Sequence, residues 1–275
     1  MNKYIDTIFD LSGKNAVVFG GLGQIGLFSV EILINAGAKV TVYDIQELGN
    51  QFSSGSFIKA QKAGLLKYKI IDVTSDDEVR MAAENLIHSE KKIDILINHV
   101  HYKGDPKKLK PHSPFFADLS EYPFDVWKET IDTNLNGMFL ITKHFGSKMI
   151  DSGGGVILNT SSTYGIVSPR FQIYGDSGIN SPISYATSKA AIINFTKYVS
   201  THWAKFNIRA NCLSPGGVKN VGQSESFRQA YSNNTPLSRM AEANEYQGAV
   251  LFLVSEASSY VTGENLVADG GWTAW

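Results

Sequence analysis

A single cysteine, Cys212, stands in 275 residues, so no disulfide can close within the chain. The opening MNKYIDTIFD carries Asp6 and Asp10 where a secretory leader needs an unbroken apolar run. No window offers the roughly 18 uncharged apolar residues of a membrane span, because Glu31 and Lys39 interrupt the best candidate. A cationic excess is missing too. Lys and Arg number 25 against 26 Asp and Glu, a formal charge of -1, which argues against a nucleic acid held through its phosphates. The expectation is a soluble cytoplasmic protein with neither nucleic acid nor membrane as partner. Internal repeats, low-complexity tracts and Pro-, Gly- or Ser-rich linkers are absent as well, so residues 1–275 are expected to form a single domain.

What is present is alternation. Seven β-rich runs, NAVVFG, KVTVYD, LKYKIIDV, IDILIN, GVILNTSS, IRANCLS and ENLVAD, are separated by helix-period stretches at 23–37, 55–64, 75–90, 124–150, 184–205 and 242–256. Nearly all-apolar strands between helices point to a seven-stranded parallel sheet covered on both faces, a doubly wound α/β (Rossmann) fold. Four connections exceed a tight turn, at 45–55, 98–123, 163–183 and 215–241. In such sheets ligands bind beyond the carboxyl ends of the strands. The last three loops follow strands of the second half, where a substrate would sit beside a dinucleotide.

VVFGGLGQIG sets Gly20, Gly23 and Gly26 between the first strand and first helix. Glycines there permit a tight turn, let backbone approach a pyrophosphate, and leave free N–H groups at the helix start. Asp44 ends the next strand, 18 residues beyond Gly26. A carboxylate at that point accepts from a ribose 2′-hydroxyl and repels a 2′-phosphate, which predicts NAD over NADP. An ordinary turn with an exposed Asp is the alternative. Later, YATSK places Tyr185 and Lys189 four positions apart at a helix start, hence on one face.

With DV at Asp72–Val73, TNLNG at Asn134, NTSS ending at Ser162, IRANCLSPGGV and VTGENLVADGG in order, the chain resembles the short-chain dehydrogenase/reductase family, in its short single-domain branch. The resemblance implies NAD (NADH) as cofactor, with contacts at Gly20, Gly23, Gln24, Ile25, Gly26, Asp44, Asp72, Val73, Asn98, Val100, Thr160, Tyr185, Lys189, Pro215, Gly216 and Val218. It implies a catalytic set of Asn134, Ser162, Tyr185 and Lys189. Tyr185 would be the general acid/base, Lys189 would lower its pKa and bond the nicotinamide ribose, Ser162 would hold the substrate oxygen, and the Asn134 backbone would anchor a relay water. A free phenol titrates near pH 10, so work near neutrality needs a shift of about 2–3 units.

Departures from the pattern narrow the expectation. Phe19 replaces a usual threonine and Gln24 a frequent glycine. The glycine spacing resembles that of the extended branch, whose epimerases and dehydratases carry longer C-terminal domains, whereas this chain ends at Trp275. NHVH (98–101) replaces NNAG; His99 and His101 lack the partners of a metal site, and none is expected. Ser162 and Tyr185 lie 23 residues apart, so 167–182 is an insertion whose Arg170, Phe171, Tyr174 and Asp176 are expected to shape a polar pocket, a plain surface excursion being the alternative. Lys103, Lys107, Lys108 and Lys110 give the 101–114 loop a positive rim, either solvated or drawing in an anionic substrate. A lid over 215–241 would touch substrate through Phe227, Arg228 and Tyr231. The helices at 124–150 and 184–205 are apolar on several sides, as in members that pair through them, so a homo-oligomer (a dimer or, preferably, a homotetramer) is expected, an extra core layer being the alternative. The expected activity is NAD-dependent alcohol dehydrogenase or ketoreductase chemistry on a polar, sugar-derived small molecule, neutral or anionic, such as a nucleotide sugar or an acidic sugar precursor. A sugar-nucleotide epimerase or dehydratase and a non-catalytic NAD-binding regulator are the alternatives.

Overall fold

The computed structural model describes residues 3–102, 104 and 109–275. Of the expected lysine rim, Lys103, Lys107 and Lys108 lie outside the described residues, as does Asp105. One sheet joins β1 (Asn15–Phe19), β2 (Lys39–Asp44), β3 (Leu66–Ile70), β4 (Ile95–Asn98), β5 (Gly155–Thr160), β6 (Ile208–Pro215) and β7 (Asn265–Ala268). Every pair is parallel, in the order β3-β2-β1-β4-β5-β6-β7. Parallel neighbours need crossovers. They are supplied by α2 (Gln24–Asn35), α3 (Gly55–Lys62), α4 (Asp76–Glu90), a rod spanning 124–151, α8 (Ile183–Trp203) and α10 (Gln247–Val254), with α1 (Lys3–Phe9) before the sheet and α9 (Glu225–Asn233) in the last long loop.

Side chains alternate across a strand, and here they enter two cores. Ala16, Val18, Val40 and Ile97 pack with Val30 and Leu33 of α2, Phe57 of α3 and Val250 of α10. Their sequence neighbours Val17, Phe19 and Leu96 pack on the opposite face with Val79 and Leu86 of α4, Phe145 of the rod and Val199 of α8. This is the doubly wound arrangement the apolar runs predict.

Register brings the strand ends level: Phe19 pairs with Tyr43 and with Asn98, and Asn98 with Asn159. Strand order reverses between β1 and β4, so the crevice opens above that pair. The rod is α5 (Phe124–Ile131), α6 (Gly137–Ile141) and α7 (Ser147–Asp151), joined by π-helical turns at Asp132–Asn136 and Thr142–Gly146. Such turns are frequent at functional sites, and Asn134 sits in the first. Phe124, Phe139 and Tyr198 are exposed on the rod and α8, the two helices expected to pair between subunits. Among the described residues no helix is long and apolar enough to cross a membrane.

Candidate active site

The glycine turn is shaped partly by the protein and partly for something else. Gly20 has φ +69, and a Cβ on it would lie 2.9 Å from the His99 carbonyl carbon; a Cβ on Gly26 would lie 2.2 Å from the Gly20 carbonyl oxygen. Both positions therefore require glycine for the fold alone. Gly23 does not: it has an ordinary extended backbone, and its Cβ would meet only the Gly20 oxygen, at 3.3 Å. Gly23 caps α2 without a side-chain hydrogen bond, and no acid occupies the first turn, so the N–H groups there are not met by a side-chain cap. That is the cradle an anionic pyrophosphate fits. If the cradle holds a nicotinamide dinucleotide, Gly23→Ala is expected to leave the thermal midpoint nearly unchanged while weakening its binding about tenfold, since the added methyl would intrude on that ligand; a fluorescence titration with unchanged Kd would contradict this.

Two adjoining cavities meet at Gly20, Gly23, His99 and His101. One, of about 620 Å³, is lined by Asp44, Asp72, Val73 and Val100. Buried Asp44 accepts from the Leu22 N–H at 3.0 Å and the Gln46 N–H at 3.1 Å. Asp72 accepts from Thr74 backbone and hydroxyl, closing its own turn. Asn98 lines neither cavity; it accepts from the Val100 N–H at 3.1 Å and so shapes the β4 turn. The other cavity, about 700 Å³, is lined by Gln24, Ile25, Gly26, Thr160, Ser162, Tyr185, Lys189, Pro215, Gly216 and Val218. Gln24 donates to the Lys219 carbonyl at 3.1 Å and accepts from Asn220, tying the glycine turn to the base of the last loop.

Tyr185 and Lys189 share a face of α8, as their spacing requires, with the ammonium 5.8 Å from the phenol ring centre. Lys189 is buried and donates to the Thr160 carbonyl at 2.8 Å, so its charge is seated by the end of β5. The expected lowering of the phenol is not produced by the protein's own groups. Burial raises the Tyr185 pKa above its ordinary value, and the hydrogen bond with Ser162 only partly opposes this. Asn134 is buried beside this pair rather than in the cavity wall; its side chain accepts from the Tyr102 N–H and donates to Ser188 at 3.1 Å, pinning the π turn to α8.

On the substrate side the sequence expectation needs revision. Of the four insertion residues, only Tyr174 lines the cavity. Arg170 donates to Asn234 at 2.7 Å and lies over the Trp272 ring at 5.3 Å, so it ties the insertion to the last loop. Phe171 and Asp176 point to solvent. From the last loop, Phe227 and Tyr231 reach the cavity, whereas Arg228 pairs with Glu225 at 2.5 Å on the outer side of α9. Tyr164, Asn180 and Ser181, which sequence reasoning passed over, line it as well. Their only signal was position, immediately after Ser162 or before Tyr185.

A family model described as enoyl-(acyl carrier protein) reductase matches residues 23–273. An uncharacterized oxidoreductase of Bacillus subtilis (strain 168), YxbG, is 33% identical over 276 residues, covering 96% of this chain and 93% of that protein. The chain belongs to the short-chain dehydrogenase/reductase family. The NAD-dependent glycerol dehydrogenase of Listeria innocua is 28% identical over 98% of both chains. The short chain dehydrogenase of Leptospira borgpetersenii with bound NAD+ superposes with a TM-score of 0.83 at 34% identity, covering 96% of this chain and 94% of that one. As a short-chain dehydrogenase/reductase, the protein is an oxidoreductase of a family that uses a nicotinamide cofactor.

Two departures from the short-chain dehydrogenase/reductase pattern now have physical reasons. Phe19 stacks on Tyr43 at 5.0 Å and meets the edge of Phe145 at 4.9 Å, so the threonine it replaces has given way to an aromatic cluster. His99 is a buried connector. Its Nδ1 lies 2.7 Å from the Thr160 hydroxyl and its Nε2 2.9 Å from that of Ser29. Ser29 gives its own proton to the Ile25 carbonyl, so Nε2 must carry the imidazole hydrogen and Thr160 must donate to Nδ1. Among the described residues no group of three His, Cys, Asp or Glu could hold a metal.

Burial and the Lys189 charge hold the His99 pKa down to about 3. The unfolded chain thus binds a proton below about pH 6.5 that the folded chain refuses, and this stability is full above that pH and lost as pH falls. Between pH 6 and 4 the unfolding free energy of the wild type is expected to drop by about 1.4 kcal/mol per pH unit more than that of His99→Gln. Parallel urea-melt curves would refute it.

Proposed function

We propose that the protein is an NAD(H)-dependent alcohol dehydrogenase or ketoreductase acting on a polar, sugar-derived hydroxyl or carbonyl group. The observation that carries this reading is one cavity lined by the α2 cradle and by Ser162, Tyr185 and Lys189. Bound nicotinamide supplies the hydride acceptor or donor, so that a carbinol and NAD+ become a carbonyl, NADH and one released proton. Tyr185 takes or returns the hydroxyl proton, Ser162 holds the substrate oxygen, and Lys189 sets positive charge beneath the phenol. Asn134 keeps the rod's π turn against α8, and Asp44 selects NAD by meeting the adenosine ribose. The loop carrying α9 closes over the substrate. An NAD-coupled screen over polyols, sugars, sugar nucleotides and hydroxy acids tests the reading; binding of NADH with no turnover of any alcohol or ketone would end it.

A further inference from the structure

The substrate half of the cavity has a composition of its own. Ser162, Tyr164, Tyr174, Ser181 and Tyr185 bring five side-chain hydroxyls to one lining. Tyr164 and Tyr174 face each other with their oxygens 3.4 Å apart, well beyond the roughly 2.7–2.8 Å of a good O–H···O bond. The contact between the two is long, which leaves each hydroxyl room for a further partner. Ser181 stands beside the Tyr174 hydroxyl. Burial keeps the phenols of Tyr164 and Tyr174 above their ordinary range, so each is a neutral group that both donates and accepts.

Aromatic faces surround these hydroxyls. Phe115, Phe116 and Phe227 line the same cavity, with the Phe227 and Tyr174 rings 5.3 Å apart. Tyr231 backs them: it stacks on Trp272 at 4.2 Å, and its hydroxyl accepts from the Gly217 N–H at 2.6 Å. Among the described residues, Lys189 is the one Lys, Arg, Asp or Glu on this lining, and its ammonium is bonded to the Thr160 carbonyl.

Two substrate classes fit this wall poorly. A carboxylate or phosphate would be desolvated among neutral phenols, where the described lining offers no Lys or Arg but Lys189, already bonded to Thr160. A plain hydrocarbon ring would leave unused the donor and acceptor capacity that the Tyr164, Tyr174 and Ser181 hydroxyls keep beyond their bonds to one another. A ring with apolar C–H faces and hydroxyls at its edge satisfies both surfaces. We propose that Tyr164 and Tyr174 read the ring hydroxyls of an uncharged cyclic polyol or sugar, and that this is the substrate of the hydride transfer proposed above, on which the inference rests.

The test is a panel of matched rings assayed for NAD+ reduction with the full chain: myo-inositol, glucose and galactose, the acids glucuronate and galacturonate, and cyclohexanol. At least one neutral polyol is expected to exceed both acids and cyclohexanol in kcat/KM by about tenfold or more. Tyr164→Phe and Tyr174→Phe, each with a thermal melt to establish folding, are expected to cut the preference for that polyol over cyclohexanol about tenfold, mainly through KM. An acid or cyclohexanol as the best substrate overturns the inference while leaving the dehydrogenase reading intact. So does an unchanged preference in both folded variants. Failure of every panel member overturns it as well, and if the wider screen of alcohols and ketones is also silent, the dehydrogenase reading falls with it.

Discussion

Tyr185→Phe is expected to lower kcat by on the order of 10³-fold while NADH Kd stays within about threefold of the wild type. The substitution keeps the ring that fills the wall between Ser162 and Lys189 and deletes only the oxygen that exchanges the proton. Hydride transfer would then leave the substrate oxygen with no acid or base to settle its charge. The pH profile separates this role from packing. Burial holds the Tyr185 phenol protonated above its ordinary range, and only the deprotonated form can accept a proton. Alcohol oxidation by the wild type should therefore climb with rising pH through neutrality, and carbonyl reduction should hold or fall. Profiles flat from about pH 6 to 9 in both directions would remove Tyr185 from the reaction. A variant with undiminished turnover would do the same, and preserved biological output with no turnover in either protein would favour the regulator alternative.

Asp44→Ala should shift the ratio of kcat/KM for NAD+ over NADP+ by about 100-fold toward NADP+, since a like-charge contact costs several kcal/mol. The carboxylate spends one oxygen on the Leu22 N–H and the other on the Gln46 N–H. A carboxylate has roughly four acceptor positions, which leaves capacity for ribose hydroxyls. Alanine also strips the Leu22 N–H of its partner, which lowers stability by about 1–3 kcal/mol. Asp44→Asn is the cleaner control, because it removes the charge and retains an acceptor oxygen. A wild type that uses NADP+ at least as well as NAD+ would refute the assignment of Asp44.

The parts of the site legible in the sequence are those set by short-range geometry. Gly26 is dictated by a turn that closes on itself within a few residues, and Gly20 by its positive φ there, although the His99 backbone that also crowds Gly20 comes from the end of β4. Asp44 is legible because it ends β2 beside that turn, and Tyr185 and Lys189 because one helical turn joins them. Strand alternation likewise announced both cores: Val17 and Val18 are adjacent yet belong to opposite faces of the sheet.

The illegible parts depend on partners far along the chain. Arg170 reads as a pocket cation until Asn234 and Trp272, contributed by later segments, are seen to hold it. His99 reads as an anomaly in the NHVH turn until Ser29 and Thr160 close on its two nitrogens. Burial of Tyr185 is illegible for the same reason, because spacing announces the nearby lysine but not how completely the cleft walls exclude water. By itself, then, the sequence determined the sheet, the glycine turn and the Tyr–Lys pair, which are matters of periodicity over a few residues. Only the tertiary structure decided which side chains face the substrate and which charges are desolvated, because burial and long-range hydrogen bonds exist only once distant segments meet.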